Sequence, residues 1–276
     1  ATKLFSGTFE KALPVALAFE TFHNFTLIHD DIMDKSPMRR GKETVYKRWN
    51  ENIAILSGDT MFAMAYRYFL NTPHKNLQQI LQVFTETAIE VCNGQQYDMN
   101  FETSETVSLD EYLTMIRKKT AVLLATSLEI GAIIGGAPST DSDLLYNYGI
   151  NLGLAFQLRD DYLDAFGDPK EFGKQIGGDI KCNKKTYLLI NALETADEET
   201  ALNLKNWLGT NNVNDEKAKI QAVLDIYRKT GSDKRCEEAI QDFFEKSVVC
   251  AKQLQLPEYK KDILINLAYH LMGRKK

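Results

Sequence analysis

Two clusters of aspartates are the residues in this sequence best suited to chemistry. They comprise Asp30, Asp31 and Asp34 in the first cluster, and Asp160, Asp161 and Asp164 in the second. On a helix, positions i and i+4 share a face, so the outer two aspartates of each cluster should point the same way. Carboxylates held together near apolar sequence repel each other unless a cation or a proton lies between them. Their hard oxygens suit Mg²⁺, which is often bound by one or two carboxylates together with substrate phosphates.

A single acidic cluster in an acidic helical protein is usually no more than a solvated face. Two clusters with the same spacing, each following an apolar segment, indicate a metal site more strongly. If the two helices face each other, they form a cleft with a carboxylate wall on each side and metal between the walls. The other elements of the chain must then hold these two helices opposite one another.

The composition limits the possible functions. The 276 residues are 44% hydrophobic and carry a formal charge of -5, which allows a large core in one domain or two. This mild acidity, without a basic stripe, argues against a nucleic-acid partner. Four scattered cysteines without metal-ligand spacing indicate free thiols in a reducing compartment such as the cytoplasm. The longest apolar run, Ala121 to Pro138, contains Glu129 and is shorter than the roughly 20 residues of a membrane span.

Nearly every segment predicts helix, because prolines are few and no alternating runs rich in Val, Ile and Thr stand out. The absence of an interdomain linker predicts one all-α domain over residues 1–276. The helices expected to position the candidate residues are 11–29, 52–70, 77–100, 108–134 and 142–166. Ser108 is expected to cap the fourth of these, with Glu111 completing a capping box. Residues 167–185 are expected to form a loop rich in Gly, Lys and Asp.

Basic and polar residues near the clusters could bind anions. Arg39 and Arg40 follow the first cluster, and arginine forms paired hydrogen bonds to phosphate oxygens, although both could also occupy a solvated turn. Lys119 could reach a phosphate or lie on a helix surface. Gln95 belongs to a polar patch inside a helix, which could equally be a hydrogen-bonded layer. The lysines of the 167–185 loop belong either to a mobile solvated segment or to a lid that closes over phosphates.

The motifs and their order resemble the trans-isoprenyl diphosphate synthases, which elongate prenyl chains head to tail. The first cluster with Arg39-Arg40-Gly41 is similar to the first aspartate-rich motif of that family, and the second cluster, after Phe156-Gln157, to the second motif. Further matches in the family's order are Gly94-Gln95, Lys119-Thr120, Lys174, Gly178-Asp179 and Asn183-Lys184-Lys185-Thr186. The resemblance covers essentially the whole chain.

This resemblance implies a fold and a metal site. The fold is a single-domain bundle of roughly a dozen helices around a deep central cavity, in an obligate homodimer. Asp30 and Asp34 would bind Mg²⁺ from one wall and Asp160 from the other, with Asp161 and Asp164 in support. About three Mg²⁺ ions would join these carboxylates to the diphosphate of an allylic substrate and neutralise the charge that grows as it departs.

The resemblance also implies substrate contacts, and it places Asp31 and Lys119 with the catalytic residues. The residues implied to contact the substrates are Arg39, Arg40, Gln95, Lys119, Phe156, Gln157, Lys174 and Lys184. Arg40 would help hold isopentenyl diphosphate, and the other cations would hold the allylic diphosphate. Thr120 and Gln157 could stabilise the allylic cation that the double bond of isopentenyl diphosphate attacks. A proton is then lost to the released diphosphate, so no side chain need act as nucleophile or general base.

The sequence departs from the family in one respect. The family has a Gly-Lys-Arg-x-Arg-Pro motif upstream of the first cluster, and its lysine and arginine bind isopentenyl diphosphate. This chain starts only about 30 residues before Asp30 and has no such motif. We expect the natural protein to be longer at its N-terminus, and the alternative is a protein that lacks part of that site. In either case these residues alone are expected to bind isopentenyl diphosphate poorly.

Product length is expected to depend on the helix that precedes Asp30. If the growing chain runs along this helix toward its N-terminus, Phe25 lies about 7.5 Å and Phe22 about 12 Å below Asp30. Bulky side chains at these depths, beside the small Thr26, predict a floor that limits the product to fifteen or twenty carbons, farnesyl or geranylgeranyl diphosphate. The alternative is that both phenylalanines only pack in the core.

Other functions are compatible with parts of the pattern. A class I terpene cyclase shares the fold and the first cluster, but its second metal motif usually contains Asn, Ser and Glu instead of a second aspartate cluster. A head-to-head synthase of the squalene type fits less well. A non-catalytic subunit of a heteromeric prenyl synthase is compatible with the missing N-terminal motif, although the intact aspartates argue against it.

Overall fold

The computed structural model confirms the all-α class. It describes residues 1–72, 75–168, 176–209 and 216–273. The chain divides into two compact units, the first made of Ala1–Thr85 with Glu129–Ser142 and the second of Glu86–Leu128 with Asp143–Lys276. Among the described residues, no helix is both long enough and apolar enough to cross a membrane.

The first unit is built around two long helices that pack against each other, α2 and α4. Its elements are α1 (Thr2–Ser6), a 3₁₀ turn (Glu10–Ala12), α2 (Leu13–Met33), β1 (Met38–Arg39), β2 (Lys42–Glu43), α3 (Val45–Arg48), α4 (Glu51–Leu70) and the first part of α5 (Leu77–Thr103). Pro14 lies in the first turn of α2, where its missing N–H has no helical partner to lose. Asn50 caps α4, because its side chain accepts a 2.9 Å hydrogen bond from the N–H of Ile53.

Aromatic packing fixes α2 in the first unit. Phe22 on α2 is fully buried, and its ring centroid lies 5.7 Å from Phe62 and 5.2 Å from Phe84. Such ring pairs add to the stabilisation from burial itself. Gly58 allows α4 to approach, since a Cβ at this position would lie 2.2 Å from Nε2 of His29. The carboxyl end of α2, which carries the first cluster, therefore rests on a well-packed base.

A short hairpin follows α2 where the sequence predicted only a loop. Strands β1 and β2 pair antiparallel, with Arg39 opposite Lys42. Arg40 and Gly41 have φ values of 51° and 76°, as a two-residue turn of type I′ requires. Strands of two residues are too short to show an alternating pattern, which explains why the hairpin was not predicted.

The second unit is also helical. Its elements are the rest of α5, α6 (Leu109–Ile116), a π-helical turn (Arg117–Ala121), the first part of α7 (Val122–Gly135), most of α8 (Ser139–Phe166), α9 (Gly178–Lys181), α10 (Tyr187–Thr195), α11 (Glu198–Gly209), α12 (Glu216–Thr230), α13 (Ser232–Gln253) and α14 (Glu258–Met272). The predicted capping box of Ser108 and Glu111 at the start of α6 is confirmed. The helix predicted from 108 to 134 is wrong in one respect, because the π turn interrupts it.

Small residues bring α7 and α8 into close contact within the second unit. A Cβ on Gly149 would lie 2.4 Å from Cα of Ala125, and one on Gly153 would lie 2.6 Å from Cα of Ala121. Real side chains do not approach so closely, so both glycines are required for this backbone separation. The contact fixes how far α8 lies from the π turn, and α8 carries the second aspartate cluster.

Candidate functional site

The first aspartate cluster occupies the carboxyl end of α2. Asp30 and Asp31 lie in the last turn, and Asp34 follows as the C-cap residue. Asp30 is half-buried, Asp31 is buried and Asp34 is exposed. Nε of Arg39, on the hairpin, donates a 2.8 Å hydrogen bond to Oδ1 of Asp31. Burial raises the pKa of Asp31, and the Arg39 guanidinium opposes that rise. The hairpin therefore holds Asp31 in place.

The second aspartate cluster lies in the last two turns of α8. Asp160 is exposed, Asp161 is buried and Asp164 is half-buried. Asp161 accepts hydrogen bonds from the hydroxyl of Tyr112 and, at 3.0 Å, from Nε2 of Gln157. Asp161 thus accepts hydrogen bonds from protein side chains, as Asp31 does in the first cluster.

Each cluster, taken within its own unit, has one exposed aspartate whose carboxylate suits a divalent cation. The side chains of Asp34 and Asp160 make no hydrogen bond or ion pair with any residue that the structure describes. Both clusters lie at helix carboxyl ends, where the macrodipole is negative and disfavours carboxylates, and neighbouring carboxylates add to the repulsion. A bound hard cation would relieve both effects. Within the described ranges, no three His, Cys, Asp or Glu side chains form a group that could hold a metal ion alone, but Mg²⁺ commonly takes water and phosphate as further ligands.

Lys119 lies in the π turn between α6 and α7, and residues of α5 hold it from two sides. A Cβ on Gly94 would lie 2.3 Å from the backbone nitrogen of Lys119 and 2.7 Å from its Cα. Asp98, one turn further along α5, accepts a 2.6 Å hydrogen bond from Nζ of Lys119. Single π turns inside helices are frequent at functional sites. The family motif at Gly94 therefore has a structural reason, since only glycine lets α5 pass so close to Lys119.

Three predicted residues, Thr120, Gln157 and Asp161, meet in one hydrogen-bonded chain, which we call the Asp161 network. Oγ1 of Thr120 donates to Oε1 of Gln157 at 3.1 Å, and Nε2 of Gln157 donates to Asp161. Tyr112 on α6 completes the network through its hydroxyl. Burial raises the pKa of both Asp161 and Tyr112, and Lys184 opposes the rise for Asp161. These four side chains from α6, the π turn and α8 thus orient one another.

The segment after α8 returns to the second cluster through α9. The backbone N–H of Asp179 donates a 2.9 Å hydrogen bond to Oδ2 of Asp164. Burial raises the pKa of Asp179, Lys184 opposes that rise, and Asp161 and Asp164 add to it. Lys184 is exposed, and its backbone N–H donates to the carbonyl of Asp179 at 2.9 Å. Among the described basic residues, Lys184 is therefore the one whose charge opposes the pKa rise of both Asp161 and Asp179.

A buried lysine supports the turn that carries Lys184. Asn183 has φ 55°, and its Nδ2 donates to the carbonyl of Leu208 at 3.0 Å. Nζ of Lys219, on α12, donates to Oδ1 of Asn183 at 2.6 Å and lies 3.5 Å from the carbonyl oxygen of Lys181. Lys219 is buried, and desolvation lowers its pKa. Both ends of the Asn183 amide are thereby fixed, which sets the path of the backbone into Lys184.

The other predicted contact residues lie on different elements of the structure. Arg40 is exposed at the hairpin turn, Gln95 is half-buried on α5, and Phe156 is half-buried on α8. Lys174 lies outside the described residues.

The predicted floor residues differ in their surroundings. Phe22 belongs to the aromatic core of the first unit, as the alternative interpretation expected for it. Phe25 is half-buried, and its ring centroid lies 5.4 Å from that of Phe22. Thr26 is half-buried and donates from Oγ1 to the carbonyl of His23 at 2.8 Å. Phe25 is thus the one of the two rings that keeps some accessible surface.

Four residues that position the site were not predicted: Tyr112, Asp98, Asn183 and Lys219. Of these, only Asn183 was named in a sequence motif, without a role of its own. Tyr112 and Lys219 carry no local signal, because a single tyrosine or lysine on an amphipathic helix usually has no special role. Their partners lie 49 and 36 residues away in the sequence, and only the fold brings them together.

Sequence comparison with known proteins gives matches to prenyl diphosphate synthases. The family model for polyprenyl synthetase matches residues 1–227. A short chain isoprenyl diphosphate synthase of Methanocaldococcus jannaschii is 44% identical over 211 residues, which are 76% of this chain and 64% of that protein. The chain thus spans slightly less than two thirds of this curated relative.

Solved structures agree with the sequence relatives. The crystal structure of a geranylgeranyl pyrophosphate synthase superposes with a TM-score of 0.94 at 45% identity, covering 100% of this chain and 85% of the other. That of a geranylgeranyl pyrophosphate synthetase from Pyrococcus horikoshii Ot3 gives 0.93 at 34% identity, covering 99% and 83%. The chain belongs to the polyprenyl synthetase family.

Proposed function

We propose that this protein is a prenyltransferase that condenses isopentenyl diphosphate head to tail with an allylic diphosphate. The products are diphosphate and a linear prenyl diphosphate, and the reaction depends on Mg²⁺. The observation that carries the proposal is the pair of acidic helix ends, each with an exposed aspartate, Asp34 or Asp160, that has no partner among the described residues. Membership of the polyprenyl synthetase family supports it.

In this proposal Asp30, Asp34 and Asp160 bind Mg²⁺, about three ions in all. Bound Mg²⁺ would neutralise the negative charge that develops on the departing diphosphate. Asp31 and Asp161 do not bind the ions, because both are buried and already accept hydrogen bonds from protein side chains. Their role is to hold the carboxyl ends of α2 and α8 in a fixed orientation.

The basic residues hold the allylic diphosphate. Arg39 uses only its Nε for Asp31, which leaves the terminal nitrogens of its guanidinium to donate to phosphate oxygens. Lys119 and Lys184 add positive charge in the second unit, and Lys174 is proposed to act with them. Lys119 must exchange its bond to Asp98 for one to phosphate, so the substrate competes with an internal ion pair. Arg40 is proposed to contact isopentenyl diphosphate.

The reaction passes through an allylic cation, and oxygen atoms are the groups that stabilise it. Oγ1 of Thr120 donates to Oε1 of Gln157 at 3.1 Å in the Asp161 network, and each oxygen has a lone pair that this hydrogen bond does not use. Fixed dipoles of this kind stabilise a developing charge without reorganising during the reaction. The double bond of isopentenyl diphosphate attacks the cation, and the released diphosphate accepts the proton that is lost.

We also propose a homodimer and a product of fifteen or twenty carbons. Two solved relatives are named as geranylgeranyl pyrophosphate synthases, which supports the longer of these products. The half-buried Phe25 is the residue proposed to limit the chain. Free cysteines support a reducing compartment, for which the cytoplasm is the proposed location.

Product analysis tests this function. The protein is incubated with Mg²⁺, allylic primers of five to fifteen carbons and a large excess of isopentenyl diphosphate, because these residues alone are expected to bind isopentenyl diphosphate poorly. The products are identified by mass. Linear diphosphates longer than the primer by whole isoprene units are expected, and chelation of Mg²⁺ should abolish them. Cyclic hydrocarbons would instead assign a cyclase. Failure to turn over any allylic diphosphate, with or without isopentenyl diphosphate, would contradict the proposal.

A further inference from the structure

Tyr112 is a buried polar residue at the end of the Asp161 network, and the mechanism above gives it no role. Only 2% of its surface is exposed, and its hydroxyl donates to Oδ2 of Asp161. The other carboxylate oxygen, Oδ1, accepts from Nε2 of Gln157 at 3.0 Å. Gln157 in turn accepts from Thr120 through its own oxygen. In each hydrogen bond of the Asp161 network, the donor and the acceptor are therefore defined.

The orientation of the Gln157 amide decides whether its oxygen or its NH₂ group faces a substrate. A side-chain amide has an oxygen and an NH₂ group of nearly the same size but opposite polarity. An ionised carboxylate only accepts hydrogen bonds, so Asp161 selects the orientation with the NH₂ group toward itself. The oxygen of Gln157 must then face the Thr120 hydroxyl. The reversed amide would place two oxygens against each other at the Asp161 contact.

Tyr112 is what holds Asp161 in the orientation that makes this selection. Its hydroxyl is a donor to one carboxylate oxygen, and Gln157 is a donor to the other. Without the hydroxyl, a buried carboxylate oxygen loses a partner, and that loss is costly. The carboxylate would then turn toward other donors, and its alignment with Gln157 would no longer be fixed.

We propose that Tyr112 is a positioning residue: through Asp161, it keeps the oxygen of the Gln157 amide, and not its NH₂ group, directed toward the allylic cation. The inference rests on the proposed function, because only a cationic reacting centre distinguishes the two orientations. The amide oxygen is the negative end of the dipole and stabilises such a centre, whereas the NH₂ group would destabilise it.

The chain offers a matched control for the test. Tyr148 is also fully buried in the second unit, and its hydroxyl donates to the carbonyl of Leu264 at 2.9 Å. Tyr112→Phe and Tyr148→Phe each remove one buried hydroxyl and one hydrogen bond, so both should lower the melting temperature by a few degrees. Release of diphosphate is then measured for both variants over a range of allylic diphosphate concentrations up to saturation, with isopentenyl diphosphate and with water as acceptor.

Tyr112→Phe should lower kcat on the order of tenfold, with the KM for the allylic diphosphate nearly unchanged, since the lost interaction acts on the cation. Tyr148→Phe should keep kcat within about twofold of the wild type. In a background of Gln157→Leu, which has no amide to orient, Tyr112→Phe should cause no further loss of kcat. This pattern would separate positioning from a general loss of stability.

Two results would overturn the inference. One is an equal effect of the two tyrosine variants on kcat, and the other is an undiminished effect of Tyr112→Phe in the Gln157→Leu background. Both require an active wild type, so they leave the proposed function intact. A wild type that releases no diphosphate from any allylic substrate would instead overturn the proposed function, together with the inference that rests on it.

Discussion

Because α5 passes close to Lys119, we predict that Gly94→Ala reduces the activity of the protein. The added Cβ would lie 2.3 Å from the backbone nitrogen of Lys119 and 2.7 Å from the carbonyl carbon of Lys118. Both are backbone atoms, so no flexible side chain can move aside. Ordinary contact begins at 3.4 Å, which requires a displacement of about 1.1 Å between α5 and the π turn.

The displacement should affect activity more than stability. Overpacking of this kind costs about 1–3 kcal/mol of unfolding free energy, and the better helix propensity of alanine returns up to about 1 kcal/mol. The melting temperature should therefore fall by only a few degrees. Lys119, however, would be misplaced by about 1 Å relative to the diphosphate, a shift that can reduce the rate on the order of 10²-fold.

Two other glycines provide controls for this prediction. Gly135→Ala also creates a backbone clash, 2.9 Å from the carbonyl oxygen of Thr2, in a part of the first unit for which no substrate contact is proposed. Gly209→Ala adds its Cβ in open space and should change neither the melting temperature nor kcat/KM. Melting temperature and kcat/KM for allylic diphosphate are measured for all three variants at a temperature where each is folded. Wild-type kcat/KM in Gly94→Ala, or an equal loss in Gly135→Ala, would refute the reasoning.

Two further predictions follow from single contacts. Phe25→Ala should shift the products toward chains longer by one or more isoprene units, as mass analysis would detect. An unchanged product distribution would show that Phe25 does not limit product length. Phe22→Ala is unsuitable for this test, because loss of that buried ring costs about 3–5 kcal/mol of unfolding free energy. Lys219→Met should raise the KM for allylic diphosphate on the order of tenfold, because Oδ1 of Asn183 loses its donor and the backbone of Lys184 shifts. Lys229→Met, an exposed change on the same helix, is its control, and equal KM values in the two variants would contradict this role.

The sequence predicted the helices and the two acidic clusters because each depends on local spacing. The capping box at Ser108 needs only two residues three positions apart, and it was confirmed. The same holds for the paired aspartates, whose helical spacing is visible without a structure. The boundary of α2 was predicted four residues early, because the helix continues through the first two aspartates to Met33. Negatively charged residues at a helix carboxyl end are locally unfavourable, so nothing nearby indicated that extension.

The residues that hold the site in place were beyond sequence reasoning. Asp31 and Asp161 have the same sequence context as their neighbours, yet both are buried and paired with protein side chains. The pairing depends on a hairpin of two-residue strands in one case and on a tyrosine from a separate helix in the other. The π turn at Lys119 likewise has no signature of its own, since it depends on the glycine of α5 that passes beside it.

The central proposal is that the two acidic clusters bind a magnesium diphosphate. It is tested most directly by calorimetry with an allylic diphosphate analogue that cannot release its diphosphate, with and without Mg²⁺. Binding should require Mg²⁺ and should be lost in both Asp34→Asn and Asp160→Asn. Tyr112→Phe should retain it, because that residue is proposed to act after the substrate has bound. Equal affinity in the absence of Mg²⁺, or wild-type affinity in both aspartate variants, would contradict the proposal.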